Sequence, residues 1–101
     1  MWAQLIKMRL QPGKDLAGLD EQMRAIEQPD SGLLRTIVMR DQKDPSQFYV
    51  LVVFKSEEKA RARERDPRRQ DGLQASQAMM AGMLASPPEF VDLAVVEEWT
   101  G

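Results

Sequence analysis

The segment Phe48-Tyr49-Val50-Leu51-Val52-Val53-Phe54 is apolar at every position, so a strand built from it carries apolar side chains on both faces of its sheet. Both faces then need cover. Helices can supply it on one side, and the other calls for a second sheet, which is the first sign of a partner. No window approaches the roughly eighteen consecutive apolar residues of a membrane span, so neither this run nor any other is a transmembrane segment.

The neighbouring segments determine how the strand is used. Leu33 to Arg40 is rich in branched residues, and Asp41-Gln42-Lys43-Asp44-Pro45-Ser46 is too short for a crossover helix, so the two strands form an antiparallel hairpin. Upstream, Trp2, Gln4, Ile6, Met8 and Leu10 alternate with Lys7 and Arg9, which predicts a strand closed by a turn at Pro12-Gly13. Asp15 is placed to cap a helix with an apolar stripe of Leu16, Leu19, Met23 and Ile26, ended by Pro29-Asp30-Ser31-Gly32. Ser56 caps a second helical region, Asp66-Pro67 restarts it, and it runs to about Leu84 before Ser86-Pro87-Pro88. A last strand spans Phe90 to Trp99. The order predicts an α+β chain, a ferredoxin-like βαββαβ sandwich with helices on one face of an antiparallel sheet.

A chain of 101 residues has room for one domain, residues 1–101. By surface scaling it buries only about two-thirds of the surface its unfolded form exposes, which makes subunit association useful. Packing two such sheets face to face would close a dimeric α+β barrel and cover the second side of Phe48 to Phe54, so a homodimer is expected. With 14 Lys and Arg against 16 Asp and Glu, the formal charge of −2 creates no field for nucleic acid or an anionic membrane. The N-terminal residues alternate from the start and lack the apolar run of a signal peptide, so a cytoplasmic location is expected.

The sequence holds no cysteine and no histidine. That removes disulfides, thiolate metal sites and cysteine nucleophiles, together with the commonest neutral metal ligand and general base, so no metal site is expected. No phosphate-binding glycine loop or nucleophile elbow is present.

Three groups of residues can carry chemistry. Lys59, Arg61, Arg63, Arg65, Arg68 and Arg69 could clamp a phosphate or carboxylate, but interleaved Glu57, Glu58, Glu64, Asp66 and Asp71 favour a solvated helix face. Without aromatic residues among them, base stacking has no platform. Leu73, Met79, Met80, Met83 and Leu84 can form either ordinary core or the wall of a pocket for a flat apolar ligand. Trp2, Tyr49 and Trp99 can orient an aromatic hydroxyl or simply pack in the sheet, and Gln4, polar among apolar neighbours, needs partners if it points inward. Asp92 and Glu98 read as solvent-facing or strand-ending residues rather than a catalytic pair.

Pro12-Gly13-Lys14, Gly32-Leu33-Leu34-Arg35, Asp44-Pro45 with Phe48, and Phe54-Lys55-Ser56-Glu57-Glu58 with Pro67 beyond stand in an order and spacing that resemble the antibiotic biosynthesis monooxygenase family of dimeric α+β barrels. The resemblance extends over nearly the whole chain. It implies either cofactor-independent oxygenation of a small aromatic, polyketide or quinol substrate, or a non-catalytic homodimer that binds a small ligand or another partner. On the first reading no cofactor is required. Leu73, Met80 and Met83 would hold the ring, and Trp2, Gln4, Tyr49 and Arg63 are the candidates for its polar end. A haem-degrading branch of the family uses an asparagine, a tryptophan and a histidine. Matching by motif puts Met8, Arg63 and approximately Gly72 at those places, and many other members carry a histidine where Arg63 stands, so the resemblance implies that haem degradation is absent.

Overall fold

A computed structural model describes all 101 residues. The elements are β1 (Trp2–Arg9), α1 (Ala17–Ala25), β2 (Leu33–Arg40), β3 (Gln47–Phe54), α2 (Glu57–Glu64), a 3-10 turn (Pro67–Arg69), α3 (Gln70–Met83) and β4 (Glu89–Ala94). They form the expected α+β ferredoxin-like βαββαβ arrangement, with a four-stranded sheet in the order β2-β3-β1-β4. All neighbouring strands are antiparallel. No helix is long and apolar enough to cross a membrane.

Local chemistry explains most boundaries. Asp15 Oδ1 accepts the Ala17 N–H at 2.9 Å and leads the chain into α1. Ser56 Oγ accepts the Lys59 N–H at 3.1 Å and starts α2, where Glu57 and Glu58 occupy the positive first turn. Asp66 Oδ1 takes the Arg68 N–H at 2.9 Å, and Pro67 opens the 3-10 turn that bends the chain from α2 into α3. Gly32 lies at φ +82°, and a Cβ there would meet Lys59 Cβ at 2.7 Å, so both backbone and space require glycine.

Register sorts the side chains. Trp2↔Phe54, Gln4↔Val52, Ile6↔Val50 and Met8↔Phe48 place one parity of β1 and β3 under the helices. There Met8, Leu10, Leu16, Leu19 and Val50 form the main core, and Trp2, Phe54 and Ala60 a smaller one. The other parity, with Ala3, Leu5, Leu51, Val53 and Tyr49 at its centre and Ile37, Met39 and Leu93 toward the edges, lies on the face that no helix covers. Only 12 of 101 residues are buried, as expected of a sheet with one apolar face open.

Two expectations are corrected. The last strand stops at Ala94 rather than reaching Trp99, because its ladder with β1 ends at Trp2↔Ala94; the Val95 N–H still reaches the Met1 carbonyl oxygen at 3.4 Å, and beyond it the chain of β1 has run out. Trp99 is 82% exposed. The basic run is not a uniform solvated face either: Arg69, in the 3-10 turn, is 1% exposed, and Arg63, on the side of α2 that faces the cavity, has a side chain only 14% exposed.

Candidate functional site

Between the helices and the inner face of the sheet lies a cavity of about 280 Å³, walled mainly by apolar side chains. The sheet contributes Trp2, Gln4, Ile6, Met8, Val50 and Phe54, and α3 contributes Leu73, Ser76, Gln77 and Met80. α2 supplies Arg63 and Glu64. An outer cleft of about 430 Å³ between α1 and β2 shares Leu16, Met23, Val38 and Arg63 with this cavity and adds Glu27.

Of the residues singled out from sequence, Trp2, Gln4, Arg63, Leu73 and Met80 line this one space. Tyr49 does not. It pairs with Lys7 and lies on the opposite face of the sheet, where Leu51 and Met39 also sit. Met83 packs against the main core beyond the end of the cavity and is outside its lining.

Arg63 is the most constrained polar group of the wall. Its Nε and Nη2 grip Glu27 Oε2 at 3.0 and 2.6 Å, and its guanidinium lies 5.3 Å from the centre of the Phe54 ring. Ser31 Oγ donates to Glu27 Oε1 at 2.6 Å and fixes the carboxylate from the other side. Burial alone would raise the Glu27 carboxyl, but the hydrogen bonds from Arg63 and Ser31 and the charge of Arg63 outweigh it and hold it below its ordinary value. Arg69 lies behind this pair. Its Nη1 donates to the Arg63 carbonyl oxygen at 2.9 Å and closes the end of α2, while its Nε and Nη2 meet no protein acceptor. Burial first, and the like charge of Arg63 second, lower the Arg69 pKa.

The second polar group is Gln4, whose Nε2 donates to Asp92 Oδ1 at 3.0 Å. Asp92, on the edge strand, also accepts from Arg61 Nη2 at 2.8 Å, so it anchors a cavity residue rather than only facing water. Glu98 lies beyond β4 and is exposed. Sequence spacing marks Arg61 with Glu57 and Glu64 as helix neighbours, but nothing in it points to Glu27, Ser31, Arg69 or Asp92 as partners of the cavity residues, because each lies on a separate element.

Of the three positions matched to the haem-degrading branch, Met8 and Arg63 line the cavity, and at Gly72 a Cβ would come within 2.2 Å of Ile26 Cγ2, so a side chain there would force Ile26 to shift.

No protein-family model matches the sequence, and no curated protein matches it significantly. Solved structures do. A protein of Chloroflexus aurantiacus J-10-fl, provisionally named an antibiotic biosynthesis monooxygenase, is 26% identical over 99% of this chain and 98% of its own, with a TM-score of 0.69. SnoaB, a cofactor-independent oxygenase of Streptomyces nogalater solved as a mutant, superimposes with a TM-score of 0.73 at 10% identity, over 96% of this chain and 94% of its own. A protein of unknown function from Nitrosomonas europaea is 24% identical, with a TM-score of 0.66, over 99% of this chain and 95% of its own. The chain therefore has the α+β fold of the antibiotic biosynthesis monooxygenases, and its structural neighbours over the full length include several proteins given that name.

Proposed function

We propose that the cavity takes a small, flat, mainly apolar ligand of the aromatic, polyketide or quinol type, and that the protein supports its oxygenation without a cofactor. The observation that carries this reading is the mainly apolar space between Met80, Leu73 and the sheet, with Gln4 and Arg63 as polar groups on its wall. A cofactor-independent oxygenase with the same fold supports it. The chemistry needs little from the protein. An electron-rich ring bearing an activated CH2 can surrender both hydrogens and four electrons to O2; one oxygen atom becomes the new carbonyl and the other leaves as water with both hydrogens. Leu73 and Met80 hold the ring and keep water away, Trp2 closes one end, and the positive charge of Arg63 favours the ring's deprotonated form. The Arg63 guanidinium presents only hydrogen-bond donors, so its role is to stabilise an anion.

A second reading, a non-catalytic protein that binds a small metabolite, is favoured by one observation: Gln4 and Arg63 are already engaged by Asp92 and Glu27. Oxygen consumption with anthrones and quinols, repeated with a metal chelator, separates the two. Turnover above the spontaneous rate that survives the chelator supports oxygenation; ligand binding with no turnover supports the second reading.

The reading includes a homodimer in which the open apolar faces pack together. Ile37, Met39 and Leu93 are each at least a third exposed on that face in the single chain, and a second copy of the same face is a partner of matching shape and polarity.

A further inference from the structure

Gln4 faces the cavity from β1, and a side-chain amide offers a ligand an acceptor or a donor according to which way it is turned. Its direction is decided by a neighbour. Gln4 and Asp92 are opposite each other in the β1–β4 ladder, and Gln4 Nε2 lies 3.0 Å from Asp92 Oδ1. An ionised carboxylate only accepts hydrogen bonds, so the amide must present its NH2 group to Asp92 and direct Oε1 elsewhere. No side-chain donor of the protein reaches Oε1.

Asp92 is itself held from the far side. Arg61 Nη2 donates to its Oδ2 at 2.8 Å, while the same guanidinium lies 5.1 Å from the centre of the Trp2 ring and reaches Glu57 and Glu64 on its own helix. Hydrogen bonds from Gln4 first and Arg61 second hold the Asp92 carboxyl below its ordinary value, so it is an acceptor throughout the neutral range. The chain from α2 through β4 to β1 thus sets the polarity of one point on the cavity wall.

We propose that Asp92, clamped by Arg61, is a positioning residue that makes Gln4 Oε1 a hydrogen-bond acceptor on the β1 wall of the cavity, so that the site selects ligands carrying a hydroxyl donor, a phenol or quinol, over the matching ether. This rests on the reading that the cavity binds a small aromatic ligand. It goes further by naming the group the ligand must carry and the residue outside the cavity that enforces it. A hydroxyl meets Oε1 with its hydrogen; an ether brings only an acceptor, leaves Oε1 desolvated and unpaired, and loses affinity for that reason.

The test is calorimetric titration of the intact protein with 1-naphthol and with 1-methoxynaphthalene, followed in parallel by the Gln4 side-chain amide signals in nitrogen-15 spectra. The wild type should prefer the naphthol by about fivefold or more, with the Gln4 amide signals moving on binding. Gln4→Met should bring the ratio close to one, and Asp92→Asn, whose amide can accept or donate and so lets Gln4 turn its NH2 group toward the ligand, should lower the ratio by raising the ether's affinity. The wild-type ratio needs no variant, so it decides even if a substitution fails to fold. A wild-type ratio near one overturns the inference and leaves the cavity reading standing. Binding of neither probe overturns both. Loss of preference in Gln4→Met with full preference kept in Asp92→Asn overturns the role of Asp92.

Discussion

Replacing Glu27 by Gln keeps the shape of the side chain and removes the one carboxylate that faces Arg63 and Arg69 together. In the native chain Glu27 takes a two-pronged grip from Arg63 and a hydrogen bond from Ser31, with side-chain exposures of 22% for Glu27 and 14% for Arg63. Breaking a buried pair by removing one partner costs about 3–5 kcal/mol, and the residual exposure of this pair lowers the expectation to about 2–3 kcal/mol. In a domain of this size that corresponds to a fall in Tm on the order of 10–20 °C. The double change Glu27→Gln with Arg63→Met should recover much of the loss, because replacing a whole buried pair is close to neutral while orphaning one charge is not. Thermal and urea unfolding at fixed protomer concentration measures both, the concentration being held because a dimer's stability depends on it. The pH dependence has a definite sign. The folded Glu27 pKa is depressed, so its contribution is complete above the unfolded-state value and is lost as pH falls through the folded one; the gap between wild type and Glu27→Gln should therefore close in acid. A loss below about 0.5 kcal/mol at neutral pH, or a double variant no more stable than the single one, would refute the reasoning.

Gly72→Ala should destabilise the fold, since a methyl group 2.2 Å from Ile26 Cγ2 forces α1 and α3 apart at about 1–3 kcal/mol, more than the roughly 1 kcal/mol gained in helix propensity; Gly82→Ala, with nothing within 4 Å, is the control and should be neutral or stabilising in the same melts. Ser56→Ala removes the acceptor of the Lys59 N–H and should cost about 1 kcal/mol by urea titration. Sedimentation velocity at micromolar concentration should show a dimer for the wild type and a monomer for Leu51→Asp, whose charge falls at the centre of the open face; a wild-type monomer would remove the face-to-face arrangement.

The local devices were legible in the sequence because each depends on neighbours along the chain. Ser56 and Asp66 act on amides two or three residues away, the Asp41 to Ser46 connection is too short for anything but a hairpin, and the period-two and helical spacings name the strands and helices directly. The unbroken apolar run of β3 announced that both faces of the sheet need cover. What the spacing could not decide is which parity of one strand meets which parity of the next. Tyr49 and Gln4 both look like polar-tipped residues in apolar strands, yet the β1–β3 register puts Gln4 under the helices and Tyr49 on the open face, and a shift of one residue would put the two on the same face. The end of β4 was hidden for a similar reason: Val95 to Trp99 has strand-like composition, but a strand needs a neighbour, and the ladder stops at Ala94. The polar wall of the cavity was the least visible part. Glu27 follows α1, Arg63 ends α2, Arg69 sits in a 3-10 turn and Asp92 lies on the edge strand, and only packing brings each to its partner. Composition excluded cysteine and histidine chemistry outright, whereas the direction of each remaining polar group was settled by long-range contacts, because a side chain's hydrogen-bond role depends on what the fold places beside it.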